Sequence, residues 1–159
     1  MSEPNLIEIN EVLMKEVAEL IGADDAFEDW QTIYANSPAD LTPPFLLYQS
    51  DVAGAAPGFE GSAYSGIWDV MVSVTPTRHR VPDSDADEIR LAEGHVRRIL
   101  FDQLSGGFPD LNKTLPDGRT LKVWHLGFES TQSLRDENYD GLLIPVRLYA
   151  ALIWPEPST

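Results

Sequence analysis

The sequence predicts an α+β domain. Its expected form is a four-stranded, mainly antiparallel sheet with two helices packed on one face, in the order α-β-β-α-β-β. Three observations carry this. Two segments repeat apolar residues at helical spacing, four others carry strand-like apolar runs, most of them alternating, and glycine or proline clusters separate them. A chain of 159 residues fits one domain over 1–159. A domain of that size buries about 70% of its unfolded surface.

Residues 6–21 read as the first helix. Leu6, Ile9, Leu13, Val17, Leu20 and Ile21 form one stripe, widened by Val12, while Glu8, Glu11, Lys15, Glu16 and Glu19 lie mainly on the other faces. Asn5 is placed to cap the start, with Glu8 three residues on as in a capping box, and Gly22 fits the stop. Residues 24–44 are mixed. Asp25 to Ile33 has room for a short helical turn, broken by Ser37-Pro38 and Pro43-Pro44.

Phe45 to Gln49 reads as the first strand, apolar on both faces and therefore covered. Residues 51–66 hold four glycines and one proline without periodicity and read as a loop. Loops of that length are usually functional or mobile. Ile67 to Thr75 is the second strand, with Trp68, Val70, Val72 and Val74 alternating with Asp69, Met71 and Ser73, and Pro76 is expected to end it.

The second helix is expected over 83–104. Asp83, Ser84 and Asp85 are N-cap candidates in an acidic first turn. Leu91, Ala92, His95, Val96, Ile99, Leu100 and Leu104 make its apolar spacing, and Gly106, Gly107 and Pro109 stop it. Pro116-Asp117-Gly118 is a turn, and Leu121 to Phe128 is the third strand. Ser130 to Gly141 reads as a polar hairpin segment. Leu142 to Trp154 is the last strand, with Val146, Leu148, Ala150, Leu152 and Trp154 on one side and Arg147, Tyr149, Ala151 and Ile153 on the other. Pro145 predicts an edge position or a bulge.

The chain has no cysteine, which removes disulfides, thiolate zinc sites and cysteine nucleophiles. The N-terminus shows no basic segment followed by an apolar one, and the apolar run 148–154 is too short to span a bilayer. The expectation is a soluble protein made in the cytoplasm, with no membrane contact. Net charge is −15, from 26 acidic and 11 basic residues. Such a surface repels nucleic acid and anionic lipid. Solubility explains it, and so does a surface that DNA passes without sticking.

No residue pattern marks catalysis, and no cofactor or metal is expected. His79, His95 and His125 lack metal-ligand spacing. Asp24-Asp25, the triplet Asp83, Asp85 and Asp87, and Asp136-Glu137 read as caps and solvated charge. Nucleophile elbows and phosphate loops are absent. Arg78, His79 and Arg80, with Arg90, Arg97 and Arg98, are the main basic concentration. They are either solvated charge or a strip that docks on an acidic neighbour, a second copy included. Trp30, Trp68, Trp124 and Trp154 are core residues by default, with one or two as interface anchors. Two other classes stay open: a small enzyme or ligand-binding protein in which His95 and His125 meet acidic residues in a cleft, and an acidic adaptor that mimics nucleic acid.

Four pieces, covering nearly the whole chain, carry a family resemblance. They are the N-terminal amphipathic helix leading to Pro43-Pro44-Phe45-Leu46-Leu47-Tyr48, the long loop before Trp68 to Val74, the acidic-start helix 83–104, and the final hairpin of Trp124 to Phe128 with Val146 to Ala150. Together they resemble the tail terminator (tail completion) proteins of long-tailed bacteriophages. The resemblance implies a non-enzymatic virion protein that forms a ring, usually hexameric, at the head-proximal end of the tail tube. The ring ends tube polymerisation and gives the head a docking surface. Its partners would be itself, the tail tube protein, and a head–tail connector or head-closure protein, while DNA passes the lumen without specific binding. A head-closure or connector protein is the alternative within this class. The loops 51–66 and 130–141 and the basic strip are the expected contacts with tube or neighbour, represented by Gly54, Phe59, Tyr64, Arg90, Arg97, Arg98, Arg135 and Tyr139.

Overall fold

A computed structural model describes residues 6–35, 42–56, 66–80, 87–135 and 137–153. The cap candidates Asn5, Asp83, Ser84 and Asp85, and Phe59, Tyr64 and Trp154, lie outside them. Helix α1 spans Leu6–Gly22, followed by a 3-10 turn at Asp25–Phe27. The strands are β1 Gln31–Tyr34, β2 Phe45–Ala55, β3 Trp68–His79, β4 Lys113–Thr114, β5 Thr120–Phe128, β6 Gln132–Arg135 and β7 Tyr139–Ile153, and helix α2 is Asp87–Ser105.

The described strands form one seven-stranded sheet in the order β1-β2-β3-β7-β5-β4, with β6 also on β7. This corrects the four-stranded expectation. It also makes the sheet mixed, because β1 runs parallel to β2 while the other pairs are antiparallel. Two of the three missed strands, β1 and β6, share a cause, while β4 is only two residues long. Of the four residues of β1, Ile33 alone is buried, and all four of β6 are exposed, so neither shows the apolar alternation that marks a strand.

The expected loop 51–66 begins as strand. Asp51 to Ala55 belong to β2, and Ala56 N–H donates to the Ile67 carbonyl at 3.0 Å. Gly54 sits at a register shift with φ 137°, a conformation that disfavours side chains, so the glycine that looked like loop is a bulge in a strand. Likewise Pro76 does not end β3. Register runs from Val74 opposite Ile144 to Thr77 opposite Gly141, so the proline removes one donor without moving the pairing. The polar segment 130–141 resolves into β6 and the start of β7.

Pro145 lies in the central strand, not at an edge. Its carbonyl accepts the Glu129 N–H at 3.0 Å. A strand residue points its N–H and C=O to the same side, so the missing donor of Pro145 faces the join between β5 and β6. There, Phe128 to Gln132 runs opposite Val146 to Leu143, one residue longer. The edge expectation does not hold, and the extra residue lies in the join between β5 and β6, not in the strand that holds Pro145.

Both helices feed one apolar cluster with the sheet. Ile9, Leu13, Val17 and Ile21 of α1 and Ala92, Val96, Ile99 and Leu100 of α2 pack with Tyr48, Val70, Val72, Val74, Ile144, Val146 and Leu148. Register shifts in β2 and β5 increase local twist, and the sheet curls. Both of its ends reach α1: Lys113 of β4 pairs with Glu16, and Thr32 of β1 lies against Gly22. Leu91 and Leu104, expected in the core, are 62% and 38% exposed. The apolar stripe of α2 is wider than the face it buries.

The end of α2 follows the predicted stop. Gly107 and Phe108 take left-handed conformations, and Phe108 N–H donates to the Gln103 carbonyl at 2.7 Å. Buried Gln103 then accepts from the N–H groups of Asp110 and Leu111 at 3.1 and 3.3 Å, fixing the chain's return.

The helices are pinned to each other by Arg98, which donates to both carboxylate oxygens of Asp24 at 3.2 and 3.0 Å. This bond, with that from Ala26 N–H, holds the Asp24 carboxyl below its ordinary value of 3.8. A depressed carboxylate stabilises the fold above its unfolded pKa, and the contribution is lost as pH falls through the folded value. Asp24→Asn is therefore expected to melt below wild type at pH 7. The gap should close as pH drops below about 4, in thermal melts across pH. A gap independent of pH would contradict it.

Candidate functional site

One end of the sheet collects charge that the sequence scatters. Arg78 of β3 lies in register opposite Asp140 of β7, which lies opposite Arg135 of β6. The result is a row of Arg, Asp and Arg across three strands, on the face that carries the helices. Asp140 and Arg78 have side chains only 6% and 8% exposed. Arg135 Nε donates to Asp140 Oδ1 at 2.8 Å, and Arg78 pairs with Glu88 in the first turn of α2.

Above the row sits a cavity of about 490 Å³. Ile89, Arg90 and Glu93 of α2 form one wall, and Thr131, Ser133 and Arg135 form the other, with Asp140 to Leu142 as the floor. Glu93 is engaged by Arg97 at 3.5 Å. Arg90 is exposed and has no ion-pair partner among the described residues. At the same end His79 stacks on Tyr139 at 5.6 Å, and Arg80 N–H donates to the Asn138 carbonyl at 2.9 Å. Guanidinium groups beside hydroxyls suit carboxylate or phosphate recognition.

The predicted contact residues divide. Arg90, Arg135 and Tyr139 come together at this end of the sheet. Arg97 lies farther along α2, with its guanidinium 4.8 Å from the Phe128 ring centre, and Phe128 packs on half-exposed Phe101. Arg98 is turned toward Asp24, so the helix does not present a single basic strip. Gly54, level with Asp69, is nine residues of β3 away from Arg78, about 30 Å along the strand. Phe59 and Tyr64 lie outside the described residues.

The histidine cleft does not form. His95 on α2 meets Phe27 edge-on at 6.2 Å and lies 3.2 Å from Arg98. His125 lies over Tyr149 at 4.6 Å on the opposite face of the sheet, which separates the two imidazoles. Sequence reading missed Asp140, Glu88, Thr131 and Ser133. Only the pairing of β6 with β7 and of β7 with β3 brings them together.

No protein-family model matches the sequence, and no curated protein matches it.

Proposed function

We propose that this chain is a ring-forming subunit that ends the tail tube of a long-tailed bacteriophage and offers the head its docking surface, with DNA passing through the ring. The observation that carries the reading is the net charge of −15, which keeps DNA from sticking to the chain. Most of its cations are engaged by its own acids or rings: Arg98 with Asp24, Lys113 with Glu16, Arg119 with Asp117, and Arg147 with Asp69 and Glu129. Arg90, without an ion-pair partner among the described residues, stands at one end of the sheet, while exposed Glu28 and Asp29 precede the strand at its opposite edge. Contact between one edge of a copy and the opposite edge of the next would be heterologous, the kind that builds rings. An acidic ring also lets DNA slide without counterion-releasing contacts.

The loop between Ala56 and Ile67 is the proposed contact with the tube. Its ends are already hydrogen-bonded. Replacing 57–66 by an Asn-Gly turn should therefore leave a folded domain. The expected result is overlong or frayed tails in electron micrographs. Normal-length tails joined to heads would sink the proposal, and heads that leak DNA from normal tails would move the chain to the head-closure class.

A further inference from the structure

Donor groups converge on the cavity between α2 and the β6–β7 hairpin without being consumed by the fold. Successive strand side chains alternate in direction, so Thr131, Ser133 and Arg135 share the face toward the cavity, while Gln132 and Leu134 take the other. Arg135 spends only its Nε, on Asp140 Oδ1 at 2.8 Å, and its two Nη groups have no bond to any described residue. Asp140 is 5% exposed and lies in register between Arg78 and Arg135, so it holds that guanidinium in place. On the opposite wall Arg90 is exposed and has no ion-pair partner among the described residues. Both acids of the lining are already engaged, Asp140 by Arg135 and Glu93 by Arg97 at 3.5 Å. Two guanidinium groups and two hydroxyls remain, all able to donate.

We infer that this cavity binds a carboxylate carried on a short aliphatic stem. The site does not depend on the ring reading. At about 490 Å³ the cavity falls within the range of ligand pockets, roughly 300–1,000 Å³. A planar carboxylate matches the fork of a guanidinium, and hydrogen bonds between ionised groups are about twice as strong as neutral ones. Ile89 and Leu142 line the same cavity and offer apolar contact to the stem. Charge selects a carboxylate over phosphate. Within the lining Arg90 and Arg135 are balanced by Glu93 and Asp140, and exposed Glu137 lies in the turn just past β6. One negative charge is answered by Arg90. A second would face Glu93, Asp140 and Glu137 with no further unengaged cation in the lining.

Titration of the whole chain with sodium butyrate, followed by amide chemical shifts in NMR, should give saturable changes at Thr131, Ser133, Arg135 and Leu142. Butyramide, uncharged and of similar shape, should give none at the same concentration. Inorganic phosphate should bind about tenfold more weakly or worse at matched ionic strength. Arg90→Gln, a substitution at an exposed position, should weaken butyrate binding by about tenfold, and Ser133→Ala by about threefold. Lys122→Gln, on β5 and outside the cavity, should change nothing. Shifts that never saturate, an equal response to butyramide, or an affinity unmoved by both Arg90→Gln and Ser133→Ala would overturn the site. Phosphate binding as tightly as butyrate would overturn the choice of carboxylate. A tripeptide with blocked ends and a central glutamate separates the two sources of that group. Tighter binding than butyrate assigns the site to an acidic side chain of a partner protein, and weaker binding assigns it to a free small acid.

Discussion

Leu148→Ala is expected to lower the unfolding free energy by about 3 kcal/mol, within the range found for buried leucines. Leu148 is fully buried in the central strand β7. Its neighbours in register are Val70 of β3 and Leu126 of β5, both buried, and the helices close the cluster above. Close-packed strands on both sides leave little room for collapse, so the truncation leaves a cavity and loses the transfer energy of the removed methyl groups. Leu148→Met keeps the volume and should cost less than about 1.5 kcal/mol. Urea unfolding of both variants measures the difference. A loss below about 1 kcal/mol for alanine would show that β7 is not the centre of the core.

Asp140→Ala should cost a similar amount, about 3 kcal/mol, for a different reason. Its carboxylate is almost fully covered, lies opposite buried Arg78 and accepts from Arg135. Removing it takes the acid from beside buried Arg78, which keeps its pair with Glu88, and the acceptor from Arg135, and losing the covered partner of a pair is more costly than deleting a surface pair. The half-exposed Arg135 can turn to solvent, which keeps the loss at the lower end of the range. Asp140→Asn retains an acceptor and should cost about half as much. The comparison is made by urea unfolding at pH 7. An alanine variant within about 1 kcal/mol of wild type would mean that the row contributes little to the fold.

The two predictions show where the sequence was readable. Leu148 stands in an alternating run, so its inward face was evident before any partner was known. The same holds for Val70, Val72 and Val74, and for the Ile9, Leu13, Val17 and Ile21 stripe of α1. Asp140 was not readable. It sits in a polar stretch that resembles a loop, and its role comes from two strands that pair with it from distant parts of the chain. β1 was hidden in the same way, because its partner β2 is parallel and no tight turn joins them. Gly54 and Pro76 misled for the opposite reason: residues that usually end strands here occupy a bulge and an unshifted register.

By itself, then, the sequence determined the α+β class, both helices, the core faces of the long strands and the acidic, cysteine-free surface. Each of these follows from periodicity or composition, which are local properties of the chain. Only the tertiary structure decided the number and order of strands and the gathering of Arg90, Arg135 and Asp140 around one cavity. Those depend on which strands become neighbours. Neighbours are set by non-local hydrogen bonding and by the curl of the sheet around its helices, and neither leaves a periodic mark in the sequence.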